Sequence, residues 1–342
     1  MNMTGRERIR AILARQEVDR SAYWIGNPHA DAARMYRTHF GCKSVQELGR
    51  LLGDDMVWIQ PDMYCHPDGK PMWDVLGGAD RHTLGQAGVF ADTQSVDEVE
   101  SFPNWPDPQY VQFAPFELFY EGVKDWDMAM FSGTWTHIWH ILLDFFGMEN
   151  CFIKMYTDPE VVTAVMRKMT DFYLEVNRRF FDEHGDKVDV FFFGNDMGSQ
   201  LDCMISPEMF RQFIFPFYRQ LIDLAKSCGK KVALHSCGSI DRIIPDLIDM
   251  GVDILHPIQA KAANMDAEHL QASYGGKIVF LGGVDTQELL PFGSEEEVAN
   301  EVLRLRGIFG KHFICSPSHE ALLANVSPQK LQAMSEAATR IL

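Results

Sequence analysis

The chain predicts an α/β fold, a (β/α)8 TIM barrel formed as a single domain over residues 1–342. Three observations predict it. Eight short apolar runs rich in Val, Ile and Phe recur along the chain, and the buried strands of a parallel sheet read this way. Most of these runs are followed by helical signals, so the unit is strand then helix, repeated. The fingerprint of an open dinucleotide fold, G-x-G-x-x-G after a strand, is absent, as is the phosphate loop G-x-x-x-x-G-K-[ST]. Eight units across this length favour a closed barrel over an open sheet.

The elements follow in order. Thr4 to Glu7 is a capping box that starts the first helix. Ala22–Ile25 and Met56–Gln60 read as the first two strands. Residues 61–125 are irregular and rich in Pro, Gly, Asp and Trp, and are expected to form a lid-like insertion over one barrel mouth. Met128–Phe131 is the third strand. Asp158-Pro159 starts a long helix that runs to about His184, where Gly185 closes it. Val188–Phe193, Lys231–Leu234, Asp253–Leu255, Ile278–Leu281 and His312–Ile314 complete the eight strands. Ser206-Pro207, the capping box Ser294 to Glu297, and Ser327-Pro328 start the helices between and after them.

Charge and composition narrow the function. Lys and Arg total 31 against 48 Asp and Glu, a net charge of −17. That balance repels nucleic-acid backbones and anionic membranes, so neither is expected as a partner. No run approaches the roughly 18 apolar residues of a spanning helix. The opening MNMTGRERIRAILARQEVDR has no apolar signal core, so a cytoplasmic location is expected. Seven scattered cysteines with no CxxC pair read as reduced thiols, some of them free to be ligands.

In a barrel of this kind the active site forms where the strands end. His235-x-Cys237 follows the fifth strand. Residues i and i+2 of an extended segment point the same way, so an imidazole and a thiolate can reach one ion, zinc above all. A third ligand must come from another strand end, with His319 and Cys315 as candidates. The alternative is that Cys237 is a small buried residue and His235 a satisfied polar one. Asp196 follows the apolar run FFFG and is either a ligand or acid/base group, or a loop cap. Asp285 in GGVDTQ reads the same way. Asp62 is a substrate-binding carboxylate or a turn residue. Asn195, Gln200 and Gln259 lie at strand ends, where they can orient a polar ligand.

At these residues the chain resembles the uroporphyrinogen decarboxylase superfamily, which holds porphyrin decarboxylases and zinc-dependent methyltransferases serving corrinoid proteins. The resemblance is carried by RERIRAILARQEVDR, GNDMGSQ, HSCGSIDRIIPDLIDMGVDILHPIQ, FLGGVDTQELLPFGSEEEV and SPSHEALLANVSPQKLQAM, in the family's order. It implies the same barrel. The decarboxylase branch has an Arg-rich segment, R-Q-A-G-R-Y, after its first strand. Here that segment reads Gly26-Asn27-Pro28-His29-Ala30, without Arg, although Asp62 matches the branch's catalytic Asp. The methyltransferase branch has His-x-Cys, matched by His235 and Cys237, and a further Cys that aligns with His319. The resemblance therefore implies a zinc enzyme that moves a methyl group between a corrinoid carrier protein and a thiol or methylated small molecule. Asp196 is expected to serve as fourth ligand or proton acceptor, while Asn195, Gln200, Gln259 and Asp285 orient the substrate. The corrinoid would arrive on a partner, since D-x-H-x-x-G is absent, and pairing of barrels into a homodimer is a family habit. A metal-independent decarboxylase using Asp62 and a non-catalytic ligand-binding barrel are the alternatives.

Overall fold

A computed structural model of the chain describes residues 3–83 and 85–341. Its eight parallel strands are β1 (Ala22–Tyr23), β2 (Met56–Ile59), β3 (Ala129–Ser132), β4 (Val190–Gly194), β5 (Lys231–His235), β6 (Ile254–Ile258), β7 (Val279–Val284) and β8 (Phe313–Pro317). They are ordered β1-β8-β7-β6-β5-β4-β3-β2 in one sheet surrounded by helices, a (β/α)8 barrel. All eight expected strands are present. Several reach further toward the mouth than their apolar runs do, because the ladder continues through polar and small residues: His235 pairs with His256 and Ser316 with Gly283.

The capping boxes at Thr4 and Ser294 form as expected. The helix Pro159–His184 also forms, but Asp158 does not cap it. Its carboxylate instead accepts from the Thr157 hydroxyl at 2.6 Å and from Lys154 at 3.3 Å. Among the described residues, no helix is long and apolar enough to cross a membrane.

β1 and β2 share no ladder. Two consecutive carboxylates close the ring there. Asp55 Oδ2 accepts from the Tyr23 N–H at 2.8 Å and Asp54 Oδ1 from the Ile25 N–H at 2.7 Å, while the Asp55 N–H donates to Tyr23 O at 2.9 Å. Asp55 is buried and paired with the buried guanidinium groups of Arg8 and Arg20, and Arg8 is shared with Asp19.

Alternation along each strand sorts side chains into two layers. Trp24, Met56, Phe131, Phe192, Ala233, Ile254, Leu281 and Ile314 fill the barrel interior, whereas Tyr23, Val57, Phe191, Leu234, Leu255 and Cys315 pack outward under the helices. This parity places the site. His235 lies two residues beyond Ala233 and His256 two beyond Ile254, so both face inward.

The insertion contains a small antiparallel hairpin, Met63–Tyr64 with Val111–Gln112. Its aromatic residues anchor it to the outer helices Ile138–Phe146 and Pro159–His184. Trp73 meets the Phe172 ring at 5.1 Å and donates to the Tyr173 hydroxyl at 3.1 Å, and Phe90 meets Phe145 at 5.1 Å. These contacts hold the insertion against those two helices.

Candidate metal centre

β5 delivers His235, and the chain continues extended to Cys237, so both side chains enter the mouth. Both are buried. His235 Nε2 lies 3.0 Å from Asp196 Oδ1 and 3.5 Å from Cys237 Sγ. The Cys237 N–H also donates to Asp196 Oδ1, at 3.1 Å. Ligand atoms of Asp196, His235 and Cys237 all lie within 4.8 Å of one another. A tetrahedral zinc ion holds its nitrogen and oxygen ligands about 3.3 Å apart, and nitrogen and sulfur about 3.5 Å apart. The observed spacings match that edge pattern.

The other face of the same ring is also occupied. His235 Nδ1 lies 3.0 Å from His256 Nδ1 and 3.6 Å from Glu320 Oε2. Trp135 packs on His235 and Trp24 on His256, with centroids 5.6 and 5.7 Å apart.

Neighbouring loops hold these groups in place. The Ser236 hydroxyl accepts from the Met197 N–H at 3.0 Å, which ties the loop after β5 to the loop after β4. The Gly238 N–H donates to Gln259 Oε1 at 2.8 Å. Gly238 has φ +87°, and a Cβ there would fall 2.3 Å from the backbone of Gly198, so the close approach of the two loops requires glycine.

The electrostatics are coupled. Burial acts to lower the His235 pKa, but the Asp196 hydrogen bond and the Glu320 and Asp196 charges outweigh it and raise the value. Burial acts to raise the Asp196 carboxyl, yet His235 holds it well below the usual carboxylate range. The Cys237 thiol is pushed far up, first by burial and then by Asp196 and Glu320. Burial, with the charges of His235 and His319, keeps His256 neutral. A thiolate at Cys237 therefore needs a cation beside it. A divalent ion supplies one, and the donor set of imidazole, thiol and carboxylate suits zinc.

The other residues singled out from sequence divide sharply. Asp196 joins the group. His319 does not: its ring centroid is 6.4 Å from that of His235, and its Nδ1 accepts from the Ala321 N–H at 3.0 Å. Cys315 is turned outward by strand parity and is fully buried under the helices, where burial pushes its thiol up to about 12. Asn195 is a structural cap, not a ligand-facing group. Its Oδ1 accepts from the N–H groups of Trp139 and His140 at 2.8 and 3.3 Å, and its amide donates to Thr136 O at 3.1 Å. Asp285 is likewise a cap, accepting from the N–H groups of Gln287, Glu288 and Leu289 at 3.1, 2.9 and 2.9 Å. Gln200 is exposed on its loop. Gln259 braces Gly238, and so acts on Cys237 through the backbone. Asp62 lies beyond β2, where burial raises its carboxyl to about 6; its Oδ1 is buried without a hydrogen bond.

Sequence reasoning missed His256 and Glu320. His256 lay at a strand end, and its inward parity with Ile254 was the available signal. Glu320 had none, because a loop position after the last strand has no periodicity to read.

Known proteins agree with this architecture. No curated protein matches the chain. Among solved structures, a methyltransferase from Methanosarcina mazei superposes with a TM-score of 0.69 at 17% identity, over 98% of each chain. That is a likeness of fold. The IOLI protein with a bound zinc atom aligns at 13% identity over 85% of this chain and 89% of its own, but its TM-score of 0.37 carries no argument. The family model for uroporphyrinogen decarboxylase (URO-D) matches residues 129–341, more than half of the chain. The barrel, the site at its mouth and this match together place the chain in the uroporphyrinogen decarboxylase family.

Proposed function

We propose that this barrel is a zinc-dependent methyltransferase, moving a methyl group between a corrinoid on a partner protein and a thiol or methylated small molecule. The observation that carries the reading is the Asp196–His235–Cys237 group at the mouth, with spacings that fit a tetrahedral ion and an open fourth position. Those three residues would hold the zinc, which supplies a Lewis acid for a sulfur or oxygen of the substrate.

The chain's own residues do the rest. His256 meets Nδ1 of His235, opposite the nitrogen that would face the zinc, and fixes its ring plane, while Asp196 also holds the Cys237 N–H. Trp135 and Trp24 wall the imidazoles and keep water from their faces. Gln259 holds the Gly238 N–H and with it the loop that carries Cys237. Asp62, with its carboxyl raised to about 6, can take up or release a proton near neutral pH.

The test compares zinc content and methyl transfer in wild type and Cys237→Ala. About one zinc fewer per chain in the variant, with loss of thiol methylation from a methylcorrinoid carrier, supports the reading. Unchanged metal content overturns it. Asp62 favours one second reading, a metal-independent decarboxylase. That reading requires activity that survives chelation and Cys237→Ala but is lost in Asp62→Asn.

A further inference from the structure

His235 presents a second set of donors on its far side. His256 is fully buried on β6 with Nδ1 aimed at His235 Nδ1, 3.0 Å away. Glu320 Oε2 lies 3.6 Å from the same nitrogen. The three ligand atoms are within 4.8 Å of one another. The spacings of 3.0 and 3.6 Å bracket the edge of about 3.3 Å expected for nitrogen and oxygen ligands of a tetrahedral ion.

A hydrogen bond between the two imidazoles would explain their approach but would not explain Glu320. Its Oε2 is buried and accepts no hydrogen bond. Its ion-pair neighbours are two imidazoles, His235 and His319, each at 3.6 Å. A buried carboxylate oxygen without a donor is costly.

We propose that the Nδ1 face of His235 is a second divalent-cation site, formed by His235 Nδ1, His256 Nδ1 and Glu320 Oε2. It goes beyond the first centre and shares only His235 with it. The second set has two nitrogens, one oxygen and no sulfur, so it suits zinc and also iron(II) or manganese(II).

The backbone is arranged to hold Glu320 there. Gly26, at φ +87°, lets the loop after β1 press on the Glu320 backbone, and a Cβ at that position would fall 2.5 Å from Glu320 O. The Asn27 N–H donates to the same carbonyl at 2.8 Å.

The experiment titrates the untagged full-length protein, freed of metal by a chelator, with Co²⁺ and with Zn²⁺. Wild type should take two equivalents. Cys237→Ala should take one and lose the thiolate-to-cobalt absorption. Glu320→Gln and His256→Asn should each weaken the other equivalent at least tenfold and keep that absorption. A single equivalent in wild type overturns the proposal, as does a second equivalent left intact by Glu320→Gln. If Cys237→Ala keeps both equivalents, the first centre fails instead. Glu320→Gln preserves side-chain shape, and thermal unfolding by circular dichroism checks its fold. It decides the matter even if His256→Asn does not fold.

Discussion

Zinc affinity should climb steeply with pH. The Cys237 thiol sits far above its ordinary pKa because of burial and the charges of Asp196 and Glu320. It is therefore protonated through the neutral range, and binding must expel that proton. The affinity then rises about tenfold per pH unit, or about 1.4 kcal/mol. His235 is also raised, by the Asp196 hydrogen bond and the charges of Glu320 and Asp196 working against burial. Below its folded pKa a second proton must leave, and the slope approaches about a hundredfold per unit. Asp196 is depressed, so it stays ionised and contributes no proton in this window. Between pH 6 and 8 the affinity should therefore rise by about 10² to 10⁴.

The metal-free protein behaves oppositely. A raised His235 pKa stabilises the fold in acid, and that contribution fades as pH rises through the folded value. The gap in melting temperature between zinc-loaded and zinc-free protein should therefore widen from pH 6 to 8. Competition against a chromophoric chelator at pH 6, 7 and 8 measures the first effect and calorimetric melting the second. A flat affinity refutes the reasoning, and so does a Cys237→Ala variant with the wild-type slope.

Asn195→Ala should cost about 1–3 kcal/mol in denaturant unfolding, since it strips the N-terminus of the helix Ile138–Phe146 of its acceptor, and should leave zinc stoichiometry unchanged. Cys315→Ala should keep full zinc content, because that thiol packs beneath the helices; a lost equivalent would show that it reaches the mouth. Asp55→Asn should destabilise the fold by about 3–5 kcal/mol, leaving Arg8 and Arg20 buried beside an uncharged amide. Gly238→Ala should lower zinc affinity more than it lowers stability, because it pushes the loop of Cys237 off Gly198; equal affinity would separate that loop from the site.

The barrel was legible because its evidence is local. An apolar run followed by a capped helix identifies a strand-helix unit without knowledge of its neighbours, and Lys231–Leu234 or Ile278–Leu281 can be read that way. Strand ends were less legible, because pairing, not composition, carries β5 to His235 and β8 to Pro317. In the site, His235 and Cys237 were readable from spacing, and Asp196 from a charge placed after an apolar run. His319 was chosen through its alignment with the family's further Cys, and Glu320 beside it was not weighed, because the direction of a loop side chain is set by contacts such as the one between Asn27 and the Glu320 carbonyl. Asn195 and Asp285 were indistinguishable from ligand-facing groups for the same reason: a polar side chain at a strand end can serve a substrate or a helix start, and only the position of the next helix decides.

Seven joints of the ring are backbone ladders, and the eighth, between β1 and β2, is held largely by side-chain carboxylates. Side-chain acceptors yield more readily to water than a continuous ladder does, so the barrel has a preferred place to breathe. Amide exchange at Tyr23 and Ile25 should outpace that of the inner residues of β5 and β6. The motion would not stay local. β1 leads directly into Gly26 and Asn27, which clasp the backbone of Glu320. Each opening of the joint would loosen the clasp on Glu320 and so tie the looseness of the ring to the charge at its mouth.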